Sequence, residues 1–184
     1  MFRALITLLL LAYPVAVYFG LQWLSVRHVA LVIIVLLLLR MTWMRQLRVL
    51  QGLQWPVLGG VALVVLALLF DSKLALKLYP AMVNTVLLGW FLLTLYQGPP
   101  AIERFARLQD PDLAESGVRY TRTVTKVWCG FFILNGGIAL ATALLGSDFW
   151  WMLYNGLIAY VLMGVLFAGE WLVRQKIRQR NAQS

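Results

Sequence analysis

Three asparagines, Asn84, Asn135 and Asn155, lie inside runs of Leu, Val, Ala and Gly. An amide in hydrocarbon has no water to bond and must find a partner within the protein. Such amides either hold helices together or line a cavity for a lipid headgroup or a small solute. Counted along helices, all three fall in one half of the membrane, placed to meet in one polar cluster with Thr85 and Tyr154.

The second chemically suggestive group is charged. Four of the seven carboxylates, Glu103, Asp110, Asp112 and Glu115, fall within thirteen residues of the stretch GPPAIERFARLQDPDL and its continuation. Pro99-Pro100 ends one helix and suits the first turn of the next. Ile102, Phe105 and Leu108 then recur every three residues as an apolar stripe, with Glu103 and Arg107 paired at i, i+4 on the other face. This spacing predicts a short helix on the membrane surface. Asp110-Pro111-Asp112 reads as an N-cap, a proline at the first helical position and an acid in the first turn, which predicts a second short helix stopping at Gly117. Arg119, Arg122 and Lys126 follow on one face, with Thr121 and Thr125 alongside. Such a stripe suits a lipid phosphate or an anionic substrate, and equally suits cationic anchors reaching for the headgroups. Glu103, Arg104, Arg107, Asp110, Asp112, Arg119, Arg122 and Lys126 together form the candidate surface for a partner or an anion.

Catalytic apparatus is sparse. The single histidine, His28, sits beside Arg27 with no acid four or five residues on, and reads as an interfacial residue. Metal sites need several His, Cys or carboxylate ligands at close spacing, and Asp110 with Asp112 falls short of that. No nucleophilic triad or glycine-rich phosphate loop assembles, so neither a catalytic residue, a metal nor a cofactor is expected. Glu103 or Glu170 acting as a lone acid is the weakest reading.

The elements that must position these groups are membrane helices. The chain is 62% hydrophobic and 12% charged, about half the charge of a typical soluble domain. Apolar runs recur from end to end and predict an all-α, polytopic single domain with six transmembrane helices at about 4–22, 29–47, 54–71, 77–96, 124–145 and 150–171. A loop at about 97–123 and a basic tail at 172–184 complete it. The start, Met1-Phe2-Arg3 before an apolar run through Tyr13-Pro14, reads as a retained first span rather than a cleaved signal. The third run, strictly apolar only from Val57 to Phe70, is the shortest. A Tyr-Pro-x-x-Val echo at Tyr13 and Tyr79 hints at an inverted repeat of two three-helix halves.

Charge sets the orientation. Of the sixteen Lys and Arg, thirteen fall on one side of this layout and three, Arg27, Lys73 and Lys77, on the other. Basic segments stay cytoplasmic, so both termini and the 97–123 loop are expected there. The net charge of +9 is dispersed between apolar runs rather than gathered in a stripe, which argues against nucleic acid. Indoles favour the headgroup level: Trp23, Trp150 and Trp151 are expected at the outer boundary, Trp43, Trp55, Trp128 and Trp171 at the inner one. Gly59-Gly60 and Gly136-Gly137, the latter with Ala141, are expected where helices approach closely. Cys129 is expected as a small buried hydrophobe.

GPPAIERFARLQDPDL, YTRTVTKVW, CGFFILNGGIAL and WWMLYNGLIAYVLMGVLFAGEWLVR resemble a family of small inner-membrane proteins of Gram-negative bacteria whose genes lie beside fatty-acid-synthase-like clusters for aryl polyene pigments. The resemblance covers essentially the whole chain and is most specific from Tyr79 to Arg174. More distantly, the order of parts is similar to intracellular septation protein A, through an early proline-bearing span and Trp128 with Phe131 to Leu134. The chain departs from that second family in its Asp-Pro-Asp-Leu and Tyr-Thr-Arg segments and its longer basic tail. Neither family supplies a catalytic residue for a numbered position here. The resemblance implies a place in the bacterial inner membrane and a role in envelope or lipid biogenesis.

The residues and the resemblance together lead to an expected non-catalytic accessory protein, in contact with membrane lipids. Its 97–123 loop would dock a cytoplasmic biosynthetic enzyme, such as an acyltransferase or an acyl-carrier-linked synthase. The alternatives are a transporter or flippase for a lipid-like molecule built on the three asparagines, and a membrane enzyme acting on lipid.

Overall fold

Where backbone polar groups must be satisfied without water, the helix is the local solution. The computed structural model describes residues 13–44, 54–70, 72–108 and 110–181, and no strand occurs among them. In chain order the elements are α1 (Tyr13–Trp23), α2 (Val26–Met44), α3 (Gln54–Phe70), α4 (Lys73–Lys77), α5 (Tyr79–Tyr96), α6 (Ala101–Arg107), α7 (Glu115–Leu145), α8 (Asp148–Leu153), a π-helical turn (Tyr154–Ile158) and α9 (Ala159–Asn181). Among the described residues three helical runs are long and apolar enough to cross a membrane: Tyr79–Tyr96, Glu115–Leu145 and Asp148–Gln175. The protein is an all-helical chain built to span a bilayer.

α7 departs from the expected layout. It is one unbroken helix of 31 residues, about 46 Å at ~1.5 Å per residue, against a hydrocarbon core of ~30 Å. Its first turns, which carry Glu115, Arg119 and Arg122, are the part suited to the length that exceeds the hydrocarbon. They absorb the predicted second short helix, because Asp110–Asp112 form a turn and the cap falls on Ala114 instead. Gly117 does not stop the helix: it continues it, and a Cβ there would meet the Leu113 side chain at 2.8 Å. The loop of 97–123 thus shrinks to two turns flanking α6.

α5 and α7 run antiparallel as the central pair, with α3 against α5, α2 against α3, and α1 against α8 and the π turn. At one end Lys77 bonds Asp148, and at the other Arg122 bonds the Leu95 carbonyl. Gly136 is the close approach, since a Cβ on it would lie 2.9 Å from that of Asn84. Gly137 plays no such part: nothing lies within 4 Å of a Cβ there, and Ala141 beside it is exposed. Gly156 in the π turn instead admits α1, with Val15 2.9 Å from the position of its Cβ.

Two apolar cores result. One joins Val17, Val29, Ile33, Val64, Leu76 and Trp151 at the Lys77 end. The other joins Phe91, Val124, Trp128, Cys129 and Phe132 toward α6, with the Phe91 and Phe132 rings 5.0 Å apart edge to face. Two tryptophans are thereby taken from the expected interface. Trp128 and Trp151 are buried core residues, whereas Trp23, Trp150 and Trp171 are exposed. At Trp151 packing outweighs the interfacial preference, because its indole N–H finds the Lys77 carbonyl at 3.0 Å. Residues 1–12 and 45–53, including Arg3, Arg45 and Arg48, lie outside the described residues, as do the side chains of Trp43, Trp55, Lys176, Arg178 and Arg180.

Candidate functional site

The asparagine cluster forms in part. The Asn135 amide donates to the Asn84 oxygen at 3.1 Å and accepts from the Tyr154 hydroxyl at 2.9 Å. Asn84 in turn donates to the Pro80 carbonyl at 2.8 Å. Asn155 stands apart, donating to the Trp151 carbonyl and the Thr142 hydroxyl. Thr85 is exposed and bonds its own helix at Ala81. Among the described residues no buried side-chain nitrogen or oxygen lacks a partner. The amides therefore spend their hydrogen bonds on one another and on the backbone, which is what holding α5, α7 and the π turn together requires.

The candidate partner surface is built on α6. Its entry turns at Gly98, whose φ of 150° is open to glycine and strained for other residues. Pro100 at the cap offers no side-chain bond, so the first N–H groups of α6 need acceptors from elsewhere. Two threonines provide them across space: Thr94 of α5 accepts from Ala101 N at 3.0 Å and Thr125 of α7 from Ile102 N at 3.3 Å. Both hydroxyls donate back to their own helices, to the carbonyls of Phe91 and Thr121.

The arginines complete the clamp. Arg104 Nε donates to the Pro99 carbonyl at 2.9 Å, and Arg107 donates to Glu103 at 2.8 Å and to the Pro111 carbonyl at 3.0 Å. Arg122 donates to the Leu95 carbonyl in the last turn of α5, where cations offset the helix dipole. Arg119 pairs with Glu115 on the surface at 3.0 Å. Lys126 and Asp112 are exposed and make no hydrogen bond or ion pair with the described residues.

Glu103 is the correction within this group. The three-residue stripe predicted it on the solvated face, yet it is 5% exposed, while Leu108 of the stripe is 59% exposed. α6 buries Ala101, Glu103 and Ala106 instead. Small alanines let the helix lie close to α7, and the carboxylate between them is neutralised by Arg107.

Behind this platform the structure holds a cavity of about 320 Å³ between α6, the start of α7 and the middle of α9. Phe105, Leu113, Trp128 and Phe167 give it apolar walls, and Asp110, Tyr120, Glu170 and Arg174 give it polar ones. The Tyr120 hydroxyl donates to the Glu170 carbonyl at 3.1 Å, fastening α7 to α9 at the cavity's edge. Of the eight predicted surface residues only Asp110 lines this cavity. Sequence reasoning missed Tyr120, Trp128, Phe167 and Arg174, which are scattered over fifty-five positions. The one signal was Glu170, a lone acid inside an apolar run. An arrangement of this kind can hold an amphipathic molecule, its apolar part on the rings and its polar part at the rim.

Neither a protein-family model, nor a curated protein, nor a solved structure matches the chain.

Proposed function

We propose that this protein is a non-catalytic accessory protein of envelope or lipid biogenesis in a bacterial inner membrane. In this reading it crosses the membrane six times with both termini cytoplasmic, as its basic segments favour. The resemblance to proteins encoded beside aryl polyene gene clusters supports the setting. The observation that carries the docking role is the α6 platform: side chains from α5, α6 and α7 fix its backbone, while Leu108, Asp110, Pro111 and Asp112 stand exposed along its outer edge. A surface ordered before its partner arrives loses little entropy on binding. The partner that suits it is a cytoplasmic biosynthetic enzyme working next to the membrane.

Photoreactive residues placed at Arg104 and Asp112 in cells test this. Crosslinking to one specific cytoplasmic protein is the expected result, and products containing lipid alone overturn it. The transporter reading draws no comparable support, since Asn84, Asn135 and Asn155 are already bonded within the protein.

A further inference from the structure

We propose that the cavity between α6, α7 and α9 binds the headgroup of a zwitterionic aminophospholipid, with the phosphate on Arg174 and the ammonium on Glu170 and Asp110. The site goes beyond protein docking and shares only Asp110 with the exposed docking edge, because Leu108, Pro111 and Asp112 lie outside its walls.

Three observations converge. The first is depth: α7 overruns the hydrocarbon core at its Glu115 end, and the hydrogen bond from Tyr120 to the Glu170 carbonyl brings α9 to the same level. The cavity thus sits where headgroups do. The second is size. A volume of about 320 Å³ equals roughly ten waters at ~30 Å³ each, the scale of a headgroup rather than a whole lipid. Acyl chains would run outside it along α9, where Val161, Leu162 and Val165 are exposed.

The third is charge. In a chain of net charge +9, this rim carries two carboxylates and one guanidinium. The Glu170 and Asp110 carboxylates take no hydrogen bond or ion pair from the described residues, and Glu170 lies one helical turn from Arg174. A purely anionic headgroup meets two like charges here. A phosphate bearing a primary ammonium matches both signs, and the Trp128 and Phe167 rings suit the methylenes between them.

Native mass spectrometry of the purified full-length protein in neutral detergent tests the site, with dioleoyl phosphatidylethanolamine and dioleoyl phosphatidylglycerol as probes. Phosphatidylethanolamine is expected to bind about tenfold more tightly, as one charge-assisted contact implies. Glu170→Gln should erase most of that preference and Asp110→Asn part of it. Glu115→Gln, outside the cavity, should leave it intact. Equal or tighter binding of phosphatidylglycerol overturns the proposal, as does an unchanged preference in Glu170→Gln. Should that variant fail to fold, an unchanged preference in Asp110→Asn, on an exposed turn, overturns it equally. Free phosphoethanolamine binding as tightly as the lipid would assign the cavity to a soluble solute and also overturn it. Crosslinking from Asp112 reports on the protein partner separately, so the two readings fail separately.

Discussion

The two ends of the α5–α7 pair solve the same problem differently. Each buries one charged residue beside a more exposed partner: Lys77, 9% exposed, with Asp148 at 3.2 Å, and Glu103, 5% exposed, with Arg107 at 2.8 Å. At the Lys77 end the chain turns tightly, and the clasp is completed by Trp151, 1% exposed, whose indole donates to the Lys77 carbonyl. At the Glu103 end the chain inserts α6, fixes it by side chains borrowed from both neighbours, and leaves a cavity beside it. The first end is closed by packing and the second is held open by hydrogen bonds. Their tolerance to substitution should differ accordingly.

The largest effect is expected at the closed end. Trp151→Ala should lower stability by about 3 kcal/mol, since it empties the centre of a packed core. Trp151→Phe, which keeps a ring but leaves the Lys77 carbonyl without its donor, should cost about 1 kcal/mol. Reversible unfolding in detergent measures both, and equal losses would mean that the hydrogen bond, not the ring, closes this end.

Arg107→Ala comes next, at about 2 kcal/mol, because it strands the buried Glu103 carboxylate. The double variant with Glu103→Gln should recover part of the loss. No recovery would show that Arg107 acts through the Pro111 carbonyl alone.

Thr125→Val should be the mildest, about 1 kcal/mol, through the unmatched Ile102 N–H. Its signature is local: amide exchange should rise at 101–107 and stay unchanged at 73–77. A rise at both ends would show that the two are not separately held.

The sequence disclosed what depends on neighbours along the chain. The pairing of Glu103 with Arg107 follows from their spacing, and the helix opening after Pro99-Pro100 from the chemistry of proline. Asn84 meets Asn135 because amides in apolar helices have few other choices. What stayed hidden depends on contacts across space. Nothing near Ile102 announces that a threonine twenty-three positions on will cap it. Gly117 carries the same letter as a helix stop, and only the Leu113 side chain against it shows why a glycine stands inside the helix. The face that α6 buries is chosen by close approach to α7, so two alanines and a carboxylate displace the larger apolar stripe. The cavity walls come from segments separated in sequence by Asn135 and Asn155, and no short window contains them.

The π turn at Tyr154–Ile158 governs the phase of everything after it. One extra residue in a helical turn rotates the following helix by about 100° relative to an uninterrupted α-helix. The segment from Asp148 to Gln175 therefore behaves as two rods joined at a fixed twist, the first keyed to the Lys77 clasp through Trp151 and the second presenting Glu170 and Arg174 to the cavity. Deleting one residue of the turn would restore a regular helix, keep every other side chain, and carry those two groups about a quarter of a revolution away. The address of the cavity's polar groups is thus written near the opposite end of the molecule, in a count of residues rather than in their identity.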